Sequence, residues 1–273
     1  MSAKLLSRER LEEIVARFSS SRVAVLGDFF LDKYLDVDPS LEEPSVETGK
    51  PAHQVAAVRC YPGAAGTVVS NLAALGTGSM HALGFTGDDG ESFELRRGLA
   101  KLGCSTDHLH TCADRFTPTY LKPRNMTVPG LAGEHSRYDT KNRKPTPTEI
   151  EQAVIGSLDA VVSQVQGVII LDQVEARDCG AVTGAVRERL AELARANPNV
   201  YFWADSRRRI HEFRNVIIKP NEFEAVGNED PRPGDAVDVD ELRAAVGDLR
   251  ERTGAPLFIT RGSEGMFVSD PEW

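Results

Sequence analysis

From residue 21 onward the chain alternates short apolar runs with stretches of helical spacing, a pattern that predicts βαβ units. SRVAVLGDFF at 21–30 is β-branched and apolar and ends in Gly27-Asp28, as a buried strand opening into a loop does. In AAGTVVSNLAALG the apolar side chains fall at Val68, Leu72 and Leu75 before Gly76, which predicts a helix closed by a glycine. MHALGF predicts the next strand and ESFELRRGLAKLG the next helix. TPTEIEQAVIGSLDAVVSQ predicts a helix opened by a Thr146/Glu149 capping box. The second half continues with GVIILDQ (strand), CGAVTGAVRERLAELARA (helix), VYFWADS and NVIIKPN (strands), VDELRAAVGDLRERTG (helix) and PLFITRG (strand). Strands alternating with helices of this length predict an α/β fold with a mainly parallel sheet covered on both faces.

Two regions break the alternation. Residues 31–61 carry Pro39, Gly49, Pro44 and Pro51 among short alternating pieces such as HQVAAVRC, which predicts a small β-rich insertion of lid type. Residues 108–138, with FTPTYLKPR and EHSRYD, predict further short strands added to that lid. Ahead of both, MSAKLLSRERLEEIVARF places apolar residues every three or four positions among charges, so residues 1–20 read as an amphipathic helix preceding one domain over 21–273.

Composition narrows the function classes. A net charge of −9 on 273 residues argues against non-specific binding to nucleic acid or to an anionic membrane. No stretch nears the ~18 apolar residues that a spanning helix needs. Cys60, Cys104, Cys112 and Cys179 form no CxxC pair, which fits a reducing, cytoplasmic setting.

In parallel sheets ligands gather at the carboxyl ends of the strands, and four strands here end in polar signatures. They are Asp28 with Asp32, then Asp172, then Asp205-Ser206-Arg207, then Asn221 with Glu222 and Glu224. Carboxylates so placed bind hydroxyls, hold Mg²⁺ through water, act as bases, or merely cap the next helix. Gly63-Ala64-Ala65-Gly66-Thr67 opens a helix with small residues that leave backbone N–H groups accessible, an arrangement equally suited to tight packing. Thr260-Arg261-Gly262 and Gly265 form a strand-to-turn passage of the kind that borders a nucleotide or closes a hairpin. His108, His110 and Cys112 alternate without a fourth ligand at zinc spacing, and Arg207-Arg208-Arg209 reads as a solvated face. Neither GxxxxGK[ST] nor GxGxxG occurs, which counts against P-loop enzymes and dinucleotide binders.

Taken in order, GDFFLDKY (27–34), PGAAGTVVSNLAALG (62–76), GFTGDDGESFELRRGLAKLG (84–103), TPTYLKPR (117–124), SRYDTKN (136–142), ADSR (204–207), KPNEFEA (219–225) and TRGSEGM (260–266) resemble the ribokinase/PfkB carbohydrate kinases, above all the heptose-kinase domain of ADP-heptose synthesis enzymes. The resemblance implies a ribokinase-like three-layer αβα fold with a β-rich lid and an ATP- and Mg²⁺-dependent sugar kinase. It implies a sugar or sugar phosphate held by Asp28, Asp32, Gly63, Ala64, Thr67 and Asp172, with Lys122, Arg124 and Arg137 suited to an anionic group on it. For the nucleotide it implies Asp205, Asn221, Glu224, Thr260, Arg261, Gly262 and Gly265, with Glu224 acting on Mg²⁺ indirectly. It further implies a homodimer formed through the lid strands.

The chain departs from that pattern in several places. The usual Gly-Gly is Gly63-Ala64, the usual sugar-contacting Asn is Thr67, and the Asp-Tyr-x-Lys-Gly element is Asp172-Gln173-Val174-Glu175-Ala176. The Gly-Ala-Gly-Asp motif, which bears the family's base and opens the helix that binds the transferring phosphate, is absent up to Trp273. The expectation is a fragment of a kinase, inactive by itself. The alternative is a sugar-binding or regulatory module that has lost catalysis.

Overall fold

The computed structural model describes residues 6–269. Its eight-stranded sheet has the order β12-β11-β10-β9-β8-β1-β4-β5, and a second sheet has the order β3-β2-β6-β7. The main sheet is built from β1 (Arg22–Gly27), β4 (Ser79–Thr86), β5 (Cys104–Thr111), β8 (Gly167–Asp172), β9 (Tyr201–Ser206), β10 (Ile217–Ile218), β11 (Leu257–Thr260) and β12 (Met266–Ser269). Every pairing in it is parallel except β11 with β12. The second sheet holds β2 (Phe29–Pro44), β3 (Pro51–Ala64), β6 (Thr119–Asn125) and β7 (Tyr138–Thr140).

Alternation along the strands sends neighbouring residues to opposite cores. Val25 of β1 packs with Val69 of α2 (Ala65–Ala74) and Leu95 and Leu99 of α3 (Gly90–Lys101). Ala24 and Leu26 face the other way, into the core that also holds Leu158 of α4 (Thr148–Val161), Leu190 of α5 (Gly184–Ala196), Ala225 of α6 (Glu222–Ala225) and Leu242 and Leu249 of α7 (Val239–Thr253). Helices therefore cover both faces of a mainly parallel sheet, the architecture the alternation predicts. Of the N-terminal helix, α1 (Arg8–Ala16) buries no residue; the part of the predicted helix before Leu6 lies outside the described residues.

Several local expectations change. The first strand ends at Gly27 as expected, but it opens into no loop: Asp28 alone separates β1 from β2 of the second sheet. Residues 31–61 form most of two long antiparallel strands in place of short pieces. Of the 108–138 segment, His108–Thr111 belongs to β5 on the edge of the main sheet, and β6 joins the second sheet parallel to β2. Thr146 caps no helix. The N-cap of α4 is Pro147, without a side-chain hydrogen bond, and the Thr146 hydroxyl donates 2.8 Å to the carbonyl of Gly180. Nor does α5 begin at Cys179: Thr183 caps it by accepting from the Val186 amide, and 173–182 is irregular chain.

Candidate functional site

Because β1 pairs with β4 on one side and β8 on the other, the order of the sheet reverses at β1, and the carboxyl ends of β1 and β8 diverge into different loops. Such a switch point opens a crevice. Here it holds a cavity of ≈ 370 Å³ whose lining includes Asp28, Phe30, Tyr120, Arg137, Gln173 and Arg207. Asp28 is buried at its base. Its Oδ2 accepts from the amides of Gln173 (2.7 Å) and Val174 (3.0 Å), and its Oδ1 from that of Ala181 (2.7 Å). A side chain on Gly180 would bring its Cβ to 2.4 Å from that same Oδ1, so this loop can approach the carboxylate only with a glycine there. Burial, and then the charge of Asp172, push the Asp28 carboxyl up to about 6 against the pull of the three amides.

Asp172 does not face the cavity as a sugar ligand would. Its carboxylate is buried and held by Arg209 at 2.6 and 3.1 Å and by the Ser206 hydroxyl at 2.6 Å. The tripled arginine is accordingly not one solvated face: Arg207 is exposed, whereas Arg209 is buried and supplies the countercharge that Asp172 needs. Nothing in the spacing of 207–209 marks which arginine turns inward, since that depends on β8 lying beside β9.

The second sheet carries the adjoining cavity, ≈ 480 Å³, lined by Asp32 and Tyr34 of β2, Arg59 of β3, Thr67 of α2 and Arg124 of β6 among others. Asp32 accepts from Lys122 Nζ at 2.7 Å, and a Cβ on Gly63 would come to 2.7 Å from Asp32 Oδ2. The glycine at 63 thus lets the carboxylate sit against the backbone that leads into α2. Ala64, which follows, has φ 51° and ψ −114°, a conformation that suits glycine. For Lys122, burial opposes the charge, but the hydrogen bond and charge of Asp32 prevail and hold its pKa above the ordinary lysine value.

The three basic candidates are divided between the cavities. Arg124 faces the second cavity and shares Asp36 with Arg59, the latter at 2.7 Å and Arg124 at 3.7 Å. Arg137 faces the first, over the Tyr120 ring at 4.5 Å, and pairs with Asp139. Lys122 stands between them, 5.0 Å from the Tyr34 ring and 5.8 Å from that of Tyr120. Arg59 and Tyr120 escaped the sequence reading because only the pairing of β2 with β3 and β6 sets Tyr120 opposite Asp32 and Arg59 opposite Tyr34.

Farther along the sheet edge lie the remaining candidates. Asp205 pairs with Lys219 at 2.9 Å. Asn221 and Glu224 form a full capping box at the start of α6, with both bonds at 2.8 Å, and burial raises the Glu224 carboxyl despite its bond from the Asn221 amide. Thr260 bridges to Asn221, Arg261 donates to Glu222 at 3.1 Å, and the Arg261 amide donates to the Gly265 carbonyl across the turn that starts β12. Among the described residues no three His, Cys, Asp or Glu side chains converge as a metal cage, and the His108/His110/Cys112 alternation gathers no such group.

Residues 21–272 match the pfkB family carbohydrate kinase. The chain is 30% identical over 256 residues to the bifunctional protein HldE of Azorhizobium caulinodans, an alignment covering 93% of this chain and 50% of that protein. With HldE of Pelobacter propionicus it shares 28% identity over 266 residues, 96% of this chain and 51% of the relative. The chain thus spans about half the length of these curated relatives. In fold it is similar to phosphofructokinase-2 from Escherichia coli in complex with fructose-6-phosphate (TM-score 0.59, 17% identity, 93% of this chain and 78% of that one). Arabidopsis thaliana ribokinase complexed with ribose and ATP is similar too, with TM-score 0.57 and 13% identity over 93% of this chain and 76% of that one. The family match runs through the whole sheet and both cavities, and the chain belongs to the pfkB family of carbohydrate kinases.

Proposed function

We propose that this chain forms the sugar-binding side and part of the nucleotide edge of a kinase that transfers the terminal phosphoryl group of ATP, with Mg²⁺, to a hydroxyl of a sugar or sugar phosphate. The observation that carries the reading is Asp32. Its carboxylate packs against Gly63 at the approach to α2 and is paired with Lys122, in a cavity of sugar size that Thr67 also lines. A carboxylate so fixed accepts hydrogen bonds from sugar hydroxyls without reorganising. Arg124 in one cavity and Arg137 in the other suit an anionic substituent. ATP belongs along the edge from Asp205 and Asn221 to Thr260 and Gly262, and Mg²⁺ bound with it would neutralise the charge on the transferring phosphate.

The base that receives the hydroxyl proton is not among the cleft carboxylates just described. Asp28 is held by three amides, Asp32 by Lys122, Asp172 by Arg209 and Asp205 by Lys219. We assign the base to the Gly-Ala-Gly-Asp element that the family resemblance implies, a motif that residues 1–273 do not contain. Buried free thiols at Cys104, Cys112 and Cys179 fit a reducing cytoplasm. The outer edge of β3, with Val55 and Val58 exposed at 44% and 55%, is the surface on which two copies would pair.

Calorimetric titration with fructose and fructose 6-phosphate, and separately with Mg-ATP, tests this reading. Asp32→Ala is expected to abolish sugar binding and keep the unfolding midpoint within a few degrees. Normal sugar binding by that variant would reduce Asp32 to a structural partner of Lys122. Equal affinity for the two sugars would remove the anionic subsite. If the chain binds sugar, and a longer protein encoding Gly-Ala-Gly-Asp phosphorylates none, the non-catalytic module is the better description.

A further inference from the structure

One wall of the switch-point cavity is irregular backbone, Gln173 to Ala176, and no helix or strand dictates its shape. Two side chains grip it. Asp28 takes the amides of Gln173 and Val174, as described. Arg209 reaches the same segment from the loop after β9: its Nη2 donates to the Val174 carbonyl and its Nη1 to that of Glu175 at 2.9 Å. The same guanidinium grips Asp172 through Nε and through Nη2, which is shared between Val174 and the carboxylate. Val174 is thereby pinned at both its N–H and its C=O, by residues that arrive from β1 and from β9. Arg209 is not among the residues that line the cavity; its hydrogen bonds reach the cavity wall through this backbone.

We propose that Arg209 is a positioning residue of the site: it sets the course of residues 173–176, against which a ligand at the Asp28 end of the cleft must rest. The chemistry requires an arginine. A guanidinium offers five N–H groups in a rigid plane, enough to hold a carboxylate through two and carbonyls through others. Lysine keeps the charge but concentrates its three donors at one point, so it retains Asp172 and gives up at least one carbonyl. The proposal takes from the sugar-kinase reading only the identity of the ligand; the grip on the loop stands apart from it.

Native-state hydrogen exchange resolved to single amides, on wild type, Arg209→Lys and Asp172→Asn, separates positioning from simple stabilisation. In Arg209→Lys the Gln173 and Val174 amides are expected to exchange at least about ten-fold faster, with Leu26 and Ile170 inside β1 and β8 changed less than about two-fold. Asp172→Asn, which leaves the guanidinium on the two carbonyls, is expected to lower overall stability yet keep the loop amides protected relative to Leu26. Arg209→Gln is the second variant should Arg209→Lys not fold, with the same loop-specific loss expected. Fructose 6-phosphate serves as probe: its affinity should fall about ten-fold in Arg209→Lys, with Mg-ATP affinity unchanged. Unaltered exchange at Gln173 and Val174, or acceleration spread equally through β1 and β8, would overturn the assignment. A wild-type protein that binds no fructose 6-phosphate would count against that sugar as ligand while leaving the exchange result to decide the role of Arg209.

Discussion

Ala64 is one of the positions where a non-glycine residue is held at positive φ, with backbone strain as the consequence. With φ 51° and ψ −114° it stands at the junction of β3 and α2 in a conformation where the Cβ of an L residue meets its own backbone. A non-glycine residue held in such a region costs about 1–3 kcal/mol. Ala64→Gly removes that strain, but it adds freedom to the unfolded chain, which costs about 0.5–1 kcal/mol. The methyl group is only half-buried, so its loss forfeits well under ~1 kcal/mol of packing. The balance is a stabilisation of about 1 kcal/mol, equivalent to a rise of about 2–4 °C in Tm for a chain of this size. Urea unfolding followed by tryptophan fluorescence, where the half-buried Trp203 stacks near Phe258, measures it, with the m value expected to stay constant. Ala64→Val is expected to destabilise, since a β-branched side chain tolerates positive φ worse than alanine does. A glycine variant no more stable than wild type, or a valine variant equal to it, would refute the strain argument.

The remaining predictions concern charge, packing, capping and association. Asp28 has a folded pKa of about 6, above that of an exposed carboxyl, so the folded state binds its proton more tightly than the unfolded state. Its contribution is complete below about pH 4 and is lost as pH rises through about 6, an effect of about 3 kcal/mol at most. Stability difference curves of wild type against Asp28→Asn over pH 4–7 should show that slope, and a flat difference would refute it. Leu190→Ala, at a position with 0% exposure beneath the sheet, should cost about 2–5 kcal/mol by urea titration. Asn221→Ala breaks the capping box and should cost about 1 kcal/mol by the same measurement. If two copies pair along the free edge of β3, as proposed, Val58→Lys should lower the sedimentation coefficient to that of a monomer; a wild type that sediments as a monomer, or a variant dimer unaltered, would remove that interface.

The alternation of apolar runs and helical spacing was enough to determine the α/β class, because parallel strands buried on both faces must be apolar throughout and their crossovers must be amphipathic. The ordered motifs were enough for the family, because Asp32, the glycine run and Asn221 with Glu224 keep their sequence whatever the packing. Tertiary structure alone decided what each charge does. Asp172 and Asp32 look alike as carboxylates after apolar runs, yet β9 brings Arg209 against the first and buries it, while β6 brings Lys122 to the second at the rim of a cavity. Arg207 and Arg209 differ by two positions and are opposite in burial, since only one finds a buried countercharge. Thr146 carried a plausible cap signal, but the loop at 178–180 competed for its hydrogen bonds and the helix began two residues later. Local pattern reports on neighbours a few residues away, whereas the partner that settles a charge here lies 37 or 90 positions distant along the chain.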